Sequence, residues 1–173
     1  MNSFSLTDLA FLGAAGGEVG DSLIPCMASN TAPTGTVSWD MSSVSATNPP
    51  WHALDCASPT VWEGVYSTGA TDRFHVSYKV GATGALTPTR WVINWQSAGP
   101  SPVVVKFWGS NVSGLGDLLD SFDYSAAPPA NESTLDRTFT NTTAYADFYF
   151  QMVWDTSIPP TTFTSKIRSI RIL

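Results

Sequence analysis

Charge is scarce in this chain. Asp, Glu, Lys and Arg make up 13% of its 173 residues, against about a quarter in an ordinary globular domain. Much of the surface must therefore be Ser, Thr, Asn and Gly. Positive charge is missing altogether before Arg73, in a stretch holding seven acids: Asp8, Glu18, Asp21, Asp40, Asp55, Glu63 and Asp72. From Arg73 onward eight basic residues face seven acids, and the net charge is −6. A nucleic-acid binder needs clustered Lys and Arg to displace counterions, and an anionic membrane surface asks for the same. Both are excluded as expected partners. No run of about 18 apolar residues is present, so no membrane-spanning helix is expected. The N-terminus has no basic region, and its apolar stretch from Leu9 to Ala15 is broken by Gly13. It does not read as a signal peptide. The expectation is a chain made in the cytoplasm that acts in a virion or other extracellular particle.

Catalytic patterns are missing as well. The two histidines, His52 and His75, and the two cysteines, Cys26 and Cys56, show neither His-X-X-X-His nor Cys-X-X-Cys spacing, so no zinc site is indicated. There is no Gly-X-Ser-X-Gly nucleophile turn. Gly13-Ala14-Ala15-Gly16-Gly17 lacks the Lys-Ser/Thr ending of a phosphate loop. Carboxylate pairs can always be found among fourteen acids, so they decide nothing. The chain is expected not to be an enzyme and to need no cofactor. A domain of this size has no need of a covalent staple. The two cysteines are expected as buried thiols, with one disulfide as the alternative.

Hydrophobic residues at 43% and aromatics at 12% supply a core. The pattern from Ile24 onward is that of strands. Phe74, Val76, Tyr78 and Val80 alternate with polar residues, which puts them on one face. Arg90–Trp95, Pro102–Trp108 and Ala146–Trp154 follow, with Phe148, Phe150 and Met152 opposite Asp147, Tyr149, Gln151 and Val153. In the last strand, Lys166 to Leu173, strict alternation sets Ile167, Ser169 and Arg171 against Arg168, Ile170 and Ile172. Asn48-Pro49-Pro50, Ala98-Gly99-Pro100, Ala127-Pro128-Pro129 and Ile158-Pro159-Pro160 mark turns. Many strands without long helices mean one antiparallel sandwich or barrel over residues 24–173. Residues 1–23 read as an arm, either a frayed terminus or a segment that orders on a neighbouring subunit. Phe4, Leu6, Leu9, Phe11 and Leu12 crowd five large apolar side chains into nine positions. Such an arm orders only against an apolar groove, so docking on another subunit or a partner is expected.

Five stretches resemble the discoidin, or coagulation factor 5/8 type C, branch of galactose-binding-like domains. The first is Met27-Ala28-Ser29-Asn30-Thr31-Ala32-Pro33-Thr34-Gly35. The second is Trp51-His52-Ala53-Leu54-Asp55-Cys56, followed by Trp62. The third, Phe107-Trp108-Gly109-Ser110-Asn111, ends a β-branched run. The fourth is Phe139-Thr140-Asn141-Thr142-Thr143-Ala144-Tyr145, and the fifth is Ile167 to Leu173. The opening is similar to versions in bacteriophage tail and other virion proteins. The resemblance implies an eight-stranded antiparallel jelly roll whose end loops bind glycans, lipid headgroups or proteins. It also implies a structural calcium beside an Asp-Gly turn. Here the glycine after Asp55 is Cys56, and Ser169 stands where an acid is expected in the last strand. The loss of a carboxylate and of the turn glycine argues against that metal, which takes six to eight oxygens; only Asp55 is left as an alternative ligand.

An aromatic face can stack on a sugar ring while polar neighbours orient the hydroxyls. Trp51, Trp62 and Trp108 fall on positions that the family tends to bury. Trp39 lies in a polar stretch resembling a ligand-end loop. Trp39, His52, Arg73 and Arg90 are therefore the candidate ligand contacts, with capping or surface ion pairs as the alternative for His52 and the arginines. Two functions follow. One is a non-catalytic module for host recognition that binds surface glycan within a phage tail or head fibre. The other is a virion decoration or baseplate protein using the jelly roll and arm 1–23 for protein contacts. Either implies a homo-oligomer or a larger assembly.

Overall fold

The computed structural model describes residues 22–31, 36–39, 43–44, 47–56, 60–66, 73–79, 84–97, 104–124, 126, 129–153 and 163–173. The apolar cluster Phe4 to Leu12 lies outside them.

Ten strands are found among the described residues: β1 Thr36–Trp39, β2 Ser43–Val44, β3 Trp62–Tyr66, β4 Arg73–Lys79, β5 Arg90–Ser97, β6 Val104–Ser110, β7 Asp117–Asp123, β8 Thr134–Thr138, β9 Asp147–Val153 and β10 Phe163–Ile172. The helical content among these residues is one 3-10 segment, Pro50–Leu54. One sheet runs β1-β4-β9-β6-β7, the other β2-β3-β10-β5-β8. Every pairing is antiparallel. Apart from β2–β3 and β6–β7, consecutive strands belong to different sheets, so the chain keeps crossing the sandwich. This is the antiparallel jelly roll that the resemblance implies, with ten strands in place of eight.

The core lies between the sheets. β9 contributes Phe148, Phe150 and Met152, all fully buried, while β5 contributes Trp91, Ile93 and Trp95 from the facing sheet. Phe107 of β6 stacks on Phe150 at 4.7 Å between centroids, and Trp91 meets Phe150 edge-on at 5.5 Å. Offset and edge-on geometries are the favourable ones for aromatic quadrupoles. Alternation in β9 falls as its sequence pattern indicates.

Three expectations need correction. In β10, Ile167, Ile170 and Ile172 are all buried, although strict alternation sets Ile167 on the face opposite the other two. The register explains it. Ile167 pairs with Trp95 and Ser169 with Asn94, so Arg168 is an extra residue. A bulge of this kind shifts the phase of the pleat and returns both sides of the break to the core. Trp108, in turn, is half-buried on the outer face of its sheet, level with Tyr149 and with exposed Leu118. Its neighbour Phe107 takes the core position. Finally, Cys26 and Cys56 are both exposed and form a disulfide, with Cα atoms 5.3 Å apart. The Met27 N–H donates to the Leu54 carbonyl at 2.9 Å, which sets the two segments side by side. The bridge is a local clamp between two core-plugging segments, since Ile24, Met27, Ala53 and Leu54 are buried. The size of the core has no bearing on it.

Candidate functional site

Two of the motif stretches lock onto each other. Tyr145 lies over Gly109, where a Cβ would sit 2.5 Å from the tyrosine ring. The Tyr145 hydroxyl donates to Asp117 Oδ2 at 2.8 Å. Burial first, then the hydrogen bond to Asp117, raises the Tyr145 pKa. Asn111 reaches the same segment twice: its Nδ2 donates to the Ala144 carbonyl at 2.9 Å, and its Oδ1 accepts from the Ala146 N–H at 3.0 Å. Asn141 Nδ2 donates to the carbonyls of Pro88 and Thr143. Ser110, fully buried, turns its hydroxyl to the Val112 carbonyl at 2.9 Å. The Gly-Ser-Asn and Asn-X-X-X-Tyr motifs thus bolt the β6–β7 loop to the segment before β9. They hold the scaffold.

A second polar device closes the flank between the two sheets. Asp120 on edge strand β7 faces inward and accepts from Trp91 Nε1 at 3.0 Å and from Arg137 Nε and Nη2 at 3.0 and 3.1 Å. Arg137 belongs to β8, the edge of the other sheet. Its guanidinium also lies 5.3 Å from the Phe122 ring centre. The carboxylate ties the two sheets together. Nothing in the sequence pattern distinguishes Asp120 from the neighbouring acids of β7.

The four candidate contacts separate into different places. Trp39 is the last residue of β1 and Arg73 the first of β4, its neighbour; they pair in register with Val76 and Val153 respectively. Both belong to the same end of one sheet. That end joins β1–β2, β3–β4, β5–β6 and β9–β10, whose connections, 40–42, 67–72, 98–103 and 154–162, lie outside the described residues. The fifth connection there, between β7 and β8, is anchored by buried Tyr124, whose hydroxyl accepts from Trp95 Nε1 at 3.3 Å. Arg90 lies at the opposite end, where Thr89 and Arg90 donate their N–H groups to the Leu173 carbonyl. His52 sits in the 3-10 segment, edge-on to Trp51 at 4.2 Å. Its Nδ1 lies 3.2 Å from the Val61 carbonyl. That partner can only accept, so Nδ1 donates to it.

Arg90 forms a two-pronged pair with Asp136, at 2.8 and 2.6 Å. The hydrogen bond from Arg90 holds the Asp136 carboxyl below its ordinary range, against a small opposing effect of burial. Both side chains are more than 40% exposed, so solvent screening limits the pair to about 0.2–1 kcal/mol. A carboxyl depressed in the folded state adds stability above its unfolded pKa, near 3.9, and loses it as pH falls through the folded value. Asp136→Asn should therefore cost under about 1 kcal/mol at pH 6. Its melting curve should converge on that of the parent chain as pH falls through the depressed folded value of Asp136.

The described side chains around Asp55 are already engaged. Asp55 Oδ1 accepts from the Thr60 hydroxyl at 2.9 Å, and Cys56 is tied to Cys26. Ser169 Oγ accepts from Asn94 Nδ2 at 2.6 Å, and Asn94 Oδ1 accepts from Thr134 at 2.7 Å, in a polar ladder across β10, β5 and β8. Among the described residues these side chains offer one carboxylate and one spent hydroxyl, short of the six to eight oxygens that calcium takes. No cluster of three or more His, Cys, Asp or Glu stands ready for an ion among the described residues.

By sequence, no family model and no curated protein matches the chain. By structure, it is similar to chitosan-binding module 1 of a chitosanase/glucanase from Paenibacillus sp. IK-5: TM-score 0.58, 18% identity, 84% of this chain and 98% of that one. It is also similar to a family 32 carbohydrate-binding module from Clostridium perfringens in complex with GalNAc-β-1,3-galactose, with TM-score 0.60, 8% identity and coverage of 80% and 94%. This chain has the galactose-binding-like fold. A third galactose-binding-like neighbour, the family 32 module of C. perfringens NanJ in complex with galactose, gives TM-score 0.56 at 12% identity, covering 80% and 97%.

Proposed function

We propose that this galactose-binding-like chain is a non-catalytic glycan-recognition module that binds sugar at the strand end carrying Trp39 and Arg73. The observation that carries the reading is the span of the likeness. Modules named for chitosan, or solved with galactose and GalNAc-β-1,3-galactose, are matched over 94–98% of their own length. An indole can stack on the apolar face of a pyranose, and a guanidinium offers a planar set of donors to its hydroxyls. Trp39 and Arg73 carry these two groups at one end of adjacent strands, with the register setting Trp39 on the face of Val76 and Phe150 and Arg73 on the opposite one.

Charge narrows the ligand class. With a net charge of −6 and no basic residue before Arg73, long-range attraction favours neutral and amino sugars and disfavours sulfated or sialylated ones. In this reading, arm 1–23 fixes the module to a larger particle, such as a phage-type fibre. The Leu23 N–H donates to the Ile172 carbonyl, at the end of the sandwich away from Trp39 and Arg73. Attachment and recognition then fall at opposite ends, and the exposed disulfide suits an oxidising surrounding. A glycan array probed with the oxidised chain is the test. Neutral galactose-, N-acetylgalactosamine- or glucosamine-type glycans should be retained, and Trp39→Ala should lower affinity about tenfold or more. A blank array, or retention of anionic glycans alone, would overturn the reading.

A further inference from the structure

We propose that the Cys26–Cys56 bridge holds the Asp55 turn in the way a cation would, so that the fold answers to thiol reductants and not to calcium. Three observations meet at this turn. Cys56 has φ = 57°, the left-handed region that ordinarily calls for glycine. The side chain that pins it there is joined to Cys26. The joined segments each plug the core, Ile24 and Met27 from one, Ala53 and Leu54 from the other. The Met27 N–H donates to the Leu54 carbonyl and joins the two backbones. The turn's carboxylate is engaged with Thr60, and the hydroxyl of Ser169 with Asn94.

Both cysteines are exposed, so a reductant can reach the sulfurs. A dithiol attacks through its thiolate and forms a mixed disulfide. It then closes on itself as a disulfide, passing two electrons and two protons to Cys26 and Cys56. The unfolded chain loses a cross-link spanning 30 residues, and the left-handed Cys56 loses its anchor.

The test is thermal melting of the full chain, with and without dithiothreitol, each after chelation and again with millimolar calcium. Reduction should lower Tm by about 10 °C, while calcium should move neither the oxidised nor the reduced protein by more than about 1 °C. Paired variants separate the turn from the cross-link. Cys26→Ser with Cys56→Gly should melt about 2–4 °C above Cys26→Ser with Cys56→Ala, because glycine takes the left-handed conformation freely. If a variant is too unstable to melt cleanly, native-state hydrogen exchange of the parent chain carries the test. Reduction should speed exchange in residues 22–31 and 48–56 and leave β6 and β9 unchanged. A calcium-dependent rise in Tm, a Tm indifferent to reductant, or exchange unaltered by reduction would overturn the proposal.

Discussion

Asp120→Ala is expected to destabilise the protein by about 3–5 kcal/mol. At this chain length that is a fall in Tm of roughly 6–20 °C. The carboxylate accepts three hydrogen bonds from two donors, Trp91 in the core and Arg137 on the opposite sheet. It is nearly closed off from water, its side chain being 11% exposed. Removing it strands the Trp91 N–H and leaves Arg137 half-buried beside Phe122 without its anion. Asp120→Asn keeps the shape and one acceptor oxygen, so it should fall between Ala and the parent. Urea unfolding of the three proteins measures this. A cost below about 1 kcal/mol would mean that the link behaves as an ordinary surface pair.

Gly109→Ala should cost about 1–3 kcal/mol or more through overpacking. An added Cβ would meet Cδ2, Cγ and Cε2 of Tyr145 at 2.5, 2.6 and 2.9 Å. The ring cannot swing away, because it is buried and its hydroxyl is held by Asp117. Tyr145→Ala alone should cost about 3–5 kcal/mol as a cavity. The double variant should cost clearly less than the sum, because removing the ring removes the collision. Additive costs would show that the glycine serves some other purpose. Gly116 is tighter still, since its Cβ would run into the Gly109 carbonyl and the Ser110 Cα. These contacts give the Gly-Ser-Asn motif a packing reason. It marks a place where a loop and an aromatic ring approach a strand too closely for a side chain.

The strands with clean alternation were legible in the sequence. β9 is the clearest, with Phe148, Phe150 and Met152 inward. β7 was not, because the register shifts between Phe107 and Trp108 and spoils the period of Asp117-Leu118-Leu119-Asp120. β8 gives the core only Leu135 among charged and polar neighbours, and β2 spans two residues. An edge strand with one buried residue carries almost no hydrophobic signal. The pairing of Cys26 with Cys56 depends on the backbone bond between Met27 and Leu54, a long-range contact without a local pattern. The candidate contacts show the same divide. Trp39 and Arg73 share an end because β1 pairs with β4. Arg90 lies at the other end because β5 begins beside Leu173. Residue type and polarity suggested all four residues, and only topology sorts them.

The measurement that bears most directly on the glycan reading is chemical-shift mapping of the oxidised chain during titration with a neutral disaccharide of the galactose or N-acetylgalactosamine class. Saturable shifts should cluster at Trp39, Arg73 and the strand ends beside them, with Asn111, Asn141 and Arg90 unmoved. Shifts centred on Asn111 and Asn141, or no saturable shift at millimolar sugar, would contradict the account.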